Sequence, residues 1–495
     1  MIASLAARAA ASRRIERERG AFRAFLLLAI FPNLVLRGIE FSARGTATIV
    51  DVEYLAIALA APLLGAPLTI AALVVAIVAD LTTFLAPVFH FELGDIVPSL
   101  IELAATRPIV VACLALAAGL VVWGTVRLLV RAAPLDALRD WRVRSTLAGA
   151  VVLLIAVDAA NGSGNALSTR RAFAPVNVAG APILQLALSA TKTMRESRLP
   201  RRPVVPVVSA TSSLFHDLND STTLVDRTGN VGLVIVESMG QLLDRRADSA
   251  LFSALIDSAV SARYIVRRGT VPFEGPTTGG EFRELCGQLR TYLTAPTTPL
   301  PDCIPARLRR LGYRTIAMHG FRRGLFDRKV WYPLIGIDSI IDAATLQASG
   351  PLPHCGTIFL GPCDAAVAPT FTRLLATPDG EHRLVYWLTL SAHFPADARA
   401  AEGSTFDCSV ARDLASDESA CMLARIWSRD LASVRATALS HGLPLTRFVV
   451  VGDHAPPLPG HRLSRLFAGG VVPFVELIPR PPAPDAPTPA KRPTR

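Results

Sequence analysis

The sequence predicts a chain in two parts: an N-terminal bundle of about five transmembrane helices, then an α/β domain with a mostly parallel sheet. Three observations carry that reading. Hydrophobic residues make up 51% of the chain and mean hydropathy is +0.40, yet the excess lies almost entirely before residue 162. Beyond residue 229, short apolar β-forming runs alternate with helical patterns. Two of those runs, Val234-Ile235-Val236-Glu237-Ser238 and Val450-Val451-Gly452-Asp453-His454, stop at a carboxylate.

The apolar spans fall at 22–39, 51–65, 67–89, 107–130 and 145–161, each near the ~20 residues a helix needs to cross the hydrocarbon core. The second is short, and its boundary with the third rests on Gly65-Ala66-Pro67. Arg13, Arg14, Arg17, Arg19 and Arg23 precede the first span, and Arg127, Arg131, Arg139, Arg142 and Arg144 lie between the fourth and fifth. Both clusters belong on the cytoplasmic side, so an odd number of spans puts the chain after residue 162 outside. No small-residue cleavage site follows the first apolar run, so a cleavable signal peptide is not expected. The net charge of +11 is partly this juxtamembrane arginine and points to the lipid bilayer as partner, not nucleic acid. Asp80, inside the third span, is expected to face the bundle interior.

Four regions follow: transmembrane helices at 1–161, an amphipathic helix and linker at 162–228, a catalytic domain at 229–478 and a Pro-rich, disordered tail at 479–495. The amphipathic helix is placed at 173–197. In the outer domain strands are expected at 231–237, 314–318, 356–360, 384–390 and 447–452, and helices at 246–264, 365–376 and 419–441. Cys113 lies in the fourth span. The other six cysteines, Cys286, Cys303, Cys355, Cys363, Cys408 and Cys421, fall in the part placed outside, where an even number suggests disulfides. Sequence alone allows about 15 connectivities; pairing of neighbours (Cys286–Cys303, Cys355–Cys363, Cys408–Cys421) is the expectation.

In an open α/β sheet, residues at the carboxyl ends of strands line the ligand crevice. Two such strands side by side would bring Glu237, Asp453 and His454 together as ligands for one divalent metal. The turn Gly275-Pro276-Thr277-Thr278-Gly279-Gly280-Glu281-Phe282 supplies a hydroxyl. This is the pattern of an enzyme that activates a threonine with a metal. Taken singly, Glu237 reads equally as a helix cap, and Asp453-His454 as a turn.

Several motifs in order give the chain a family resemblance. After Glu237 comes Thr277 in a Gly-x-Thr-x-x-x-Glu-Phe turn, then Gly312-Tyr313-Arg314-Thr315, His319-Gly320, Phe326-Asp327-Arg328, Ser391-Ala392-His393-Phe394-Pro395 and Asp453-His454. The set resembles the alkaline phosphatase/sulfatase superfamily, in its membrane-anchored branch of lipoteichoic acid synthase-like phosphoglycerol transferases and phosphoethanolamine transferases. The resemblance implies an alkaline phosphatase-like α/β domain outside a bacterial cytoplasmic (inner) membrane, on the periplasmic side. It implies transfer of a phospho-head group from a membrane phospholipid donor to an envelope glycan or lipid acceptor through a phospho-threonine. It makes Thr277 the nucleophile, and Glu237, Thr277, Asp453 and His454 the ligands of one Mn2+ or Zn2+. His393 would bind phosphate or protonate a leaving oxygen, while Arg328, Phe326 and His319 would line the substrate pocket.

The choice of Thr277 over Thr278 rests on the family turn. Phe326 replaces the Trp common among the phosphoglycerol transferases, and Ala392 replaces a His, so the head group stays open. A phosphodiesterase or phosphatase sharing the site is an alternative, as is a non-enzymatic sensor or scaffold with a vestigial site. Cys303-Ile304-Pro305-Ala306-Arg307 fits the Cys-x-Pro-x-Arg pattern by which sulfatases make formylglycine. Its position next to Gly312-Tyr313, the single Glu ending the first strand and the expected Cys286 bridge argue against a sulfatase.

Overall fold

A computed structural model describes residues 12, 15–16, 18–44, 48–88, 108–132, 141–160, 177–197, 207–219, 229–273, 275–376, 380–458, 462 and 465–480. The chain forms two compact units, Met1–Arg202 with Pro457–Ser464, and Pro203–Pro456 with Arg465–Arg495.

The first unit is built on helices at Phe31–Arg44, Val52–Val88, Pro108–Ala132 and Trp141–Ala160. The expected second and third spans run on as one element, broken only where Gly65 takes φ 71°. Helices stand where the fourth and fifth spans were expected. Among the described residues, however, two stretches are long and apolar enough to cross a membrane, Glu18–Gly38 and Val52–Thr83. On this criterion the five-span bundle is not confirmed; Arg144–Val157 is apolar but shorter. Large apolar side chains such as Leu63, Leu68, Ile109 and Leu116 are exposed on these helices, as on a surface made for lipid. The amphipathic helix begins later than expected, at Pro182–Ser197. Residues Asn177–Gly180 instead form a strand, β2, parallel to β1 at Thr48–Asp51. Glu53 caps that helix by accepting from Ile183 N at 2.9 Å and Leu184 N at 3.0 Å.

Asp80 belongs to a buried ionic cluster in this unit. Arg37 pairs with Asp80, with Glu40 and, at 2.9 Å, with Asp51; Tyr54 donates its hydroxyl to Asp80 at 3.2 Å. A carboxylate in an apolar bundle is tolerated only when paired, and Arg37 supplies the pairing from another helix.

The second unit centres on a seven-stranded sheet in the order β4-β11-β10-β3-β9-β5-β6. The strands are β3 Asn230–Val236, β4 Tyr264–Pro272, β5 Arg314–His319, β6 Ser339–Ile341, β9 Arg383–Leu388, β10 Thr446–Gly452 and β11 Val471–Pro479. Pairing is parallel from β10 through β6, and β11 is antiparallel to both its neighbours. β3, β9 and β10 are buried along their whole length, which is why they read as continuous apolar runs. Side chains alternate between faces. Val231, Leu233 and Ile235 pack with Phe282, Leu285, Ile304 and Trp331 in one core. From the other face, Trp387 and Phe448 meet Phe371 of the helix Asp364–Leu375. Helices thus cover both faces.

Three local expectations are corrected. The helix placed at 246–264 is two helices, Arg245–Phe252 and Ser258–Arg263, because Asp244 and Asp257 each cap a new start, and Tyr264 already opens β4. Residues 356–360 form no strand of the main sheet; they turn between the short β7 (His354–Cys355) and β8 (Gly361–Pro362). The tail begins later than 479, since β11 reaches Pro479 and Arg480 N donates to Arg263 O at 2.9 Å. The remainder of the tail, residues 161–176 and most of the 198–228 linker lie outside the described residues. All three neighbouring disulfides are present: Cys286–Cys303, Cys355–Cys363 and Cys408–Cys421.

Candidate active site

The parallel register of β3 and β10 sets Val236 beside Gly452, so the next residues, Glu237 and Asp453, leave the sheet together at its carboxyl edge. A Cβ on Gly452 would meet Met239 O at 1.9 Å, so only glycine lets the two chains approach this closely. Ser238 then takes φ 56°, a left-handed conformation rare for a residue with a side chain. In that conformation its N–H donates to Asp453 Oδ1 at 2.7 Å and its hydroxyl to Glu237 Oε1 at 3.1 Å. His454 N donates to the same Asp453 Oδ1 at 2.6 Å. Glu237 N is held by Thr389 Oγ1 at 2.9 Å, and Trp427 Nε1 donates to Glu237 O at 3.1 Å.

Glu237, Asp453 and His454 each offer a ligand atom within 4.8 Å of the others, all buried. His454 Nδ1 lies 2.9 Å from Ala455 O. A carbonyl only accepts, so Nδ1 carries the proton and Nε2 presents its lone pair to the carboxylates. Burial, reinforced by the Asp453 charge, raises the Glu237 carboxyl well above its usual range. Burial also pushes Asp453 up to about 6 and the His454 imidazole down to about 4. Asp453 Oδ2 lies 3.2 Å from His454 Nε2 and takes up no hydrogen bond of acceptable geometry. Two desolvated carboxylates, one open oxygen and one imidazole lone pair form a donor set suited to a divalent cation such as Mn2+ or Zn2+.

Thr277 opens the helix Thr277–Cys286. Its Oγ1 stands 3.5 Å from Glu237 Oε2 and 3.3 Å from His454 Nε2. Thr278 faces away: it is buried, and its hydroxyl takes Tyr292 N at 3.4 Å. The geometry separates the two threonines that sequence left to the family turn. The helix comes this close because Gly280 packs on Asp453, where even a Cβ would sit 3.3 Å from Asp453 Cα. The positive end of its dipole faces the cluster, a place that favours an anion.

Arg328, expected to line the substrate pocket, has most of its fork of donors already taken. It is buried, and Glu281 occupies its Nε at 3.1 Å and its Nη2 at 2.9 Å; Nη1 alone is left without a hydrogen-bond partner. Tyr386 OH also donates to Glu281, at 2.9 Å, as does Tyr332 OH. Glu281 is therefore a hub; the sequence motif includes it one turn beyond Thr277 but gives it no role. Phe326 has φ 54°, packs at a tilt against Tyr292 with ring centroids 5.1 Å apart, and has the Arg328 guanidinium over it at 5.3 Å. His319 ends β5, where Nδ1 donates to Leu388 O at 3.0 Å. Burial, then the Arg328 charge, pushes its imidazole down to about 3, so it stays neutral. His393 lies in the turn beyond β9, its N–H bonded to Leu390 O at 3.0 Å and its ring edge-on to Phe359 at 4.4 Å. Cys303, in the sulfatase-like pattern, is bonded to Cys286 and so is not a free thiol.

No family model and no curated protein matches the sequence. Solved structures do. Lipoteichoic acid synthase LtaP from Listeria monocytogenes is 14% identical, with 54% of this chain and 72% of that one covered and a TM-score of 0.40. Phosphoglycerol transferase GacH from Streptococcus pyogenes, in complex with sn-glycerol-1-phosphate, is 17% identical over 54% and 74%, with a TM-score of 0.37. The C-terminal periplasmic domain of EptC from Escherichia coli, in complex with Zn, is 14% identical over 51% and 73%, with a TM-score of 0.33. These neighbours are the kinds of protein that the ordered sequence motifs resemble.

Proposed function

We propose that this chain is a metal-dependent phosphotransferase. It moves a phosphoglycerol or phosphoethanolamine head group from a membrane phospholipid to an envelope glycan or lipid. The reading places it in a bacterial cytoplasmic membrane, held in the bilayer by several spans, with the second unit outside the cytoplasm. One observation carries the chemistry: the Thr277 hydroxyl stands at a helix N-terminus within 3.5 Å of ligand atoms from both Glu237 and His454.

Glu237, Asp453, His454 and Thr277 would hold one Mn2+ or Zn2+. A cation bound there would lower the pKa of the threonine hydroxyl and draw negative charge off the phosphoryl group. Thr277 Oγ1 gives its proton to solvent and forms the bond to phosphorus as the bond to the diacylglycerol oxygen breaks. His393 hands that oxygen a proton, while Arg328 Nη1 and the N-terminal amides of the Thr277 helix hold the phosphoryl oxygens. A hydroxyl of the acceptor then attacks the phosphorus and gives its proton to His393, while the Thr277 oxygen–phosphorus bond breaks and Thr277 Oγ1 regains a proton from solvent. Phe326 and Tyr292 wall the pocket, and neutral His319, its Nδ1 proton given to Leu388 O, offers Nε2 as an acceptor at its floor.

The test is turnover. Purified protein with Mn2+ or Zn2+ is incubated with phosphatidylglycerol or phosphatidylethanolamine, and diacylglycerol is measured. Release from one lipid, abolished in Thr277→Ala with metal still bound, is the expected result. Equal release by Thr277→Ala would remove the threonine from the mechanism.

A further inference from the structure

Arg283 and Glu284, on the same helix as Thr277, are wholly buried and paired, Nε to Oε1 at 2.6 Å. Taking two charges out of water costs several kcal/mol per ion, so what the pair holds is the question. Arg283 Nη2 donates to Gly452 O at 2.8 Å and Nη1 to Asp453 O at 3.5 Å. Its guanidinium lies over Phe273, 4.5 Å from the ring centroid. Asp453 N, on the other side, donates to Val236 O at 3.3 Å. The backbone of Asp453 is thus gripped at both ends, and its Oδ1 is tied by Ser238 and His454, which leaves Oδ2 open. Glu284 turns the other way. Its carboxylate accepts from Thr211 N at 3.0 Å and Ala210 N at 3.3 Å, and Thr211 Oγ1 donates back to Glu284 O at 2.7 Å.

We propose that Arg283 is a positioning residue for the metal-binding end of β10, and that Glu284 fastens residues 209–211 to the helix that carries Thr277. One ion pair then sets the spacing between nucleophile and ligands and ties the segment entering the domain to that spacing. The proposal rests on the metal reading above.

The test uses the full chain in detergent with two variants. In Arg283→Met/Glu284→Gln both charges go together, so neither is left buried alone. Arg283→Lys keeps the charge but lacks the fork that reaches both carbonyls. Two quantities are read: affinity for Mn2+ and Zn2+ by competition with a chelating dye, and hydrogen–deuterium exchange of the 450–456 peptide in metal-free protein. The folded double variant is expected to bind metal about 10- to 100-fold more weakly, as when groups supporting a ligand are removed elsewhere. Its 450–456 peptide should exchange faster, and Arg283→Lys should fall between it and the wild type. Wild-type affinity and exchange in either folded variant overturn the proposal. A wild type that binds neither metal would sink the metal reading instead, and the exchange comparison would still decide the role of Arg283.

Discussion

Arg328 and Glu281 form a second buried ion pair at the site, and its energetics are open to measurement. Glu281 is fully buried and Arg328 nearly so. Glu281→Gln would leave the Arg328 guanidinium buried without its counter-charge. Arg328→Met would leave the carboxylate with only the two phenols, Tyr332 and Tyr386, as donors. Breaking a buried pair by removing one partner costs about 3–5 kcal/mol, whereas replacing both partners together is often near neutral. For a unit of this size each kcal/mol moves Tm by about 2–4 °C, so either single variant should unfold about 6–20 °C lower. The double variant Glu281→Gln/Arg328→Met should recover most of that loss. Thermal unfolding followed by tryptophan fluorescence reads it directly, since Trp331, Trp387 and Trp427 are all buried in this unit. Single variants within about 1 kcal/mol of wild type, or a double variant no better than the sum of the singles, would refute the buried-pair account.

Other consequences are equally direct. His319 has its folded pKa pushed from 6.5 down to about 3, so its contribution is present above pH 6.5 and is lost as pH falls and the unfolded chain takes up the proton. Between pH 6.5 and 5, wild type should lose about 1.5–2 kcal/mol more than His319→Gln in urea unfolding; parallel curves would contradict the assignment. Asp453→Asn removes one ligand charge while keeping the hydrogen bonds to Oδ1, so a chelator should lower Tm in wild type and barely move it in this variant. Equal chelator sensitivity would place the cation elsewhere. A phosphatase-type reporter fused after residue 165 should be active outside the cytoplasm, and an inactive fusion would overturn the orientation argued from arginine.

Much of this was legible in the sequence because the central strands are buried on both faces. Val231–Val236 and Phe448–Val451 read plainly as strands, and each run stops at a carboxylate, Glu237 or Asp453. What escaped the reading had its signal broken by one residue. β11 carries Pro473 and Glu476 within an apolar stretch; Glu476 is buried with Arg447 Nε at 2.8 Å and the Ser213 hydroxyl at 2.7 Å, partners on other elements of the chain. β4 keeps Arg267 and Arg268 on a sheet edge and hides behind a helix-like start. Glu281 enters the sequence pattern only as part of the Thr277 turn and Arg283 has no role in it, since nothing local tells that Tyr332, Tyr386 and Gly452 close over them. Arg328 is expected to line a substrate pocket, and no local pattern tells that Glu281 takes its Nε and Nη2. In the first unit, Asp80 marked a polar interior, but its partner Arg37 lies on another helix with no spacing to predict it.

The central claim is that Thr277 becomes covalently loaded from a lipid head group. Mass spectrometry of the Thr277 peptide, after incubation with phosphatidylglycerol or phosphatidylethanolamine and Mn2+ or Zn2+, tests it most directly. The account predicts an adduct on Thr277 whose mass corresponds to glycerol phosphate or ethanolamine phosphate, absent in Thr277→Ala. Turnover of either lipid with Thr277 unmodified under conditions that trap the intermediate would contradict it.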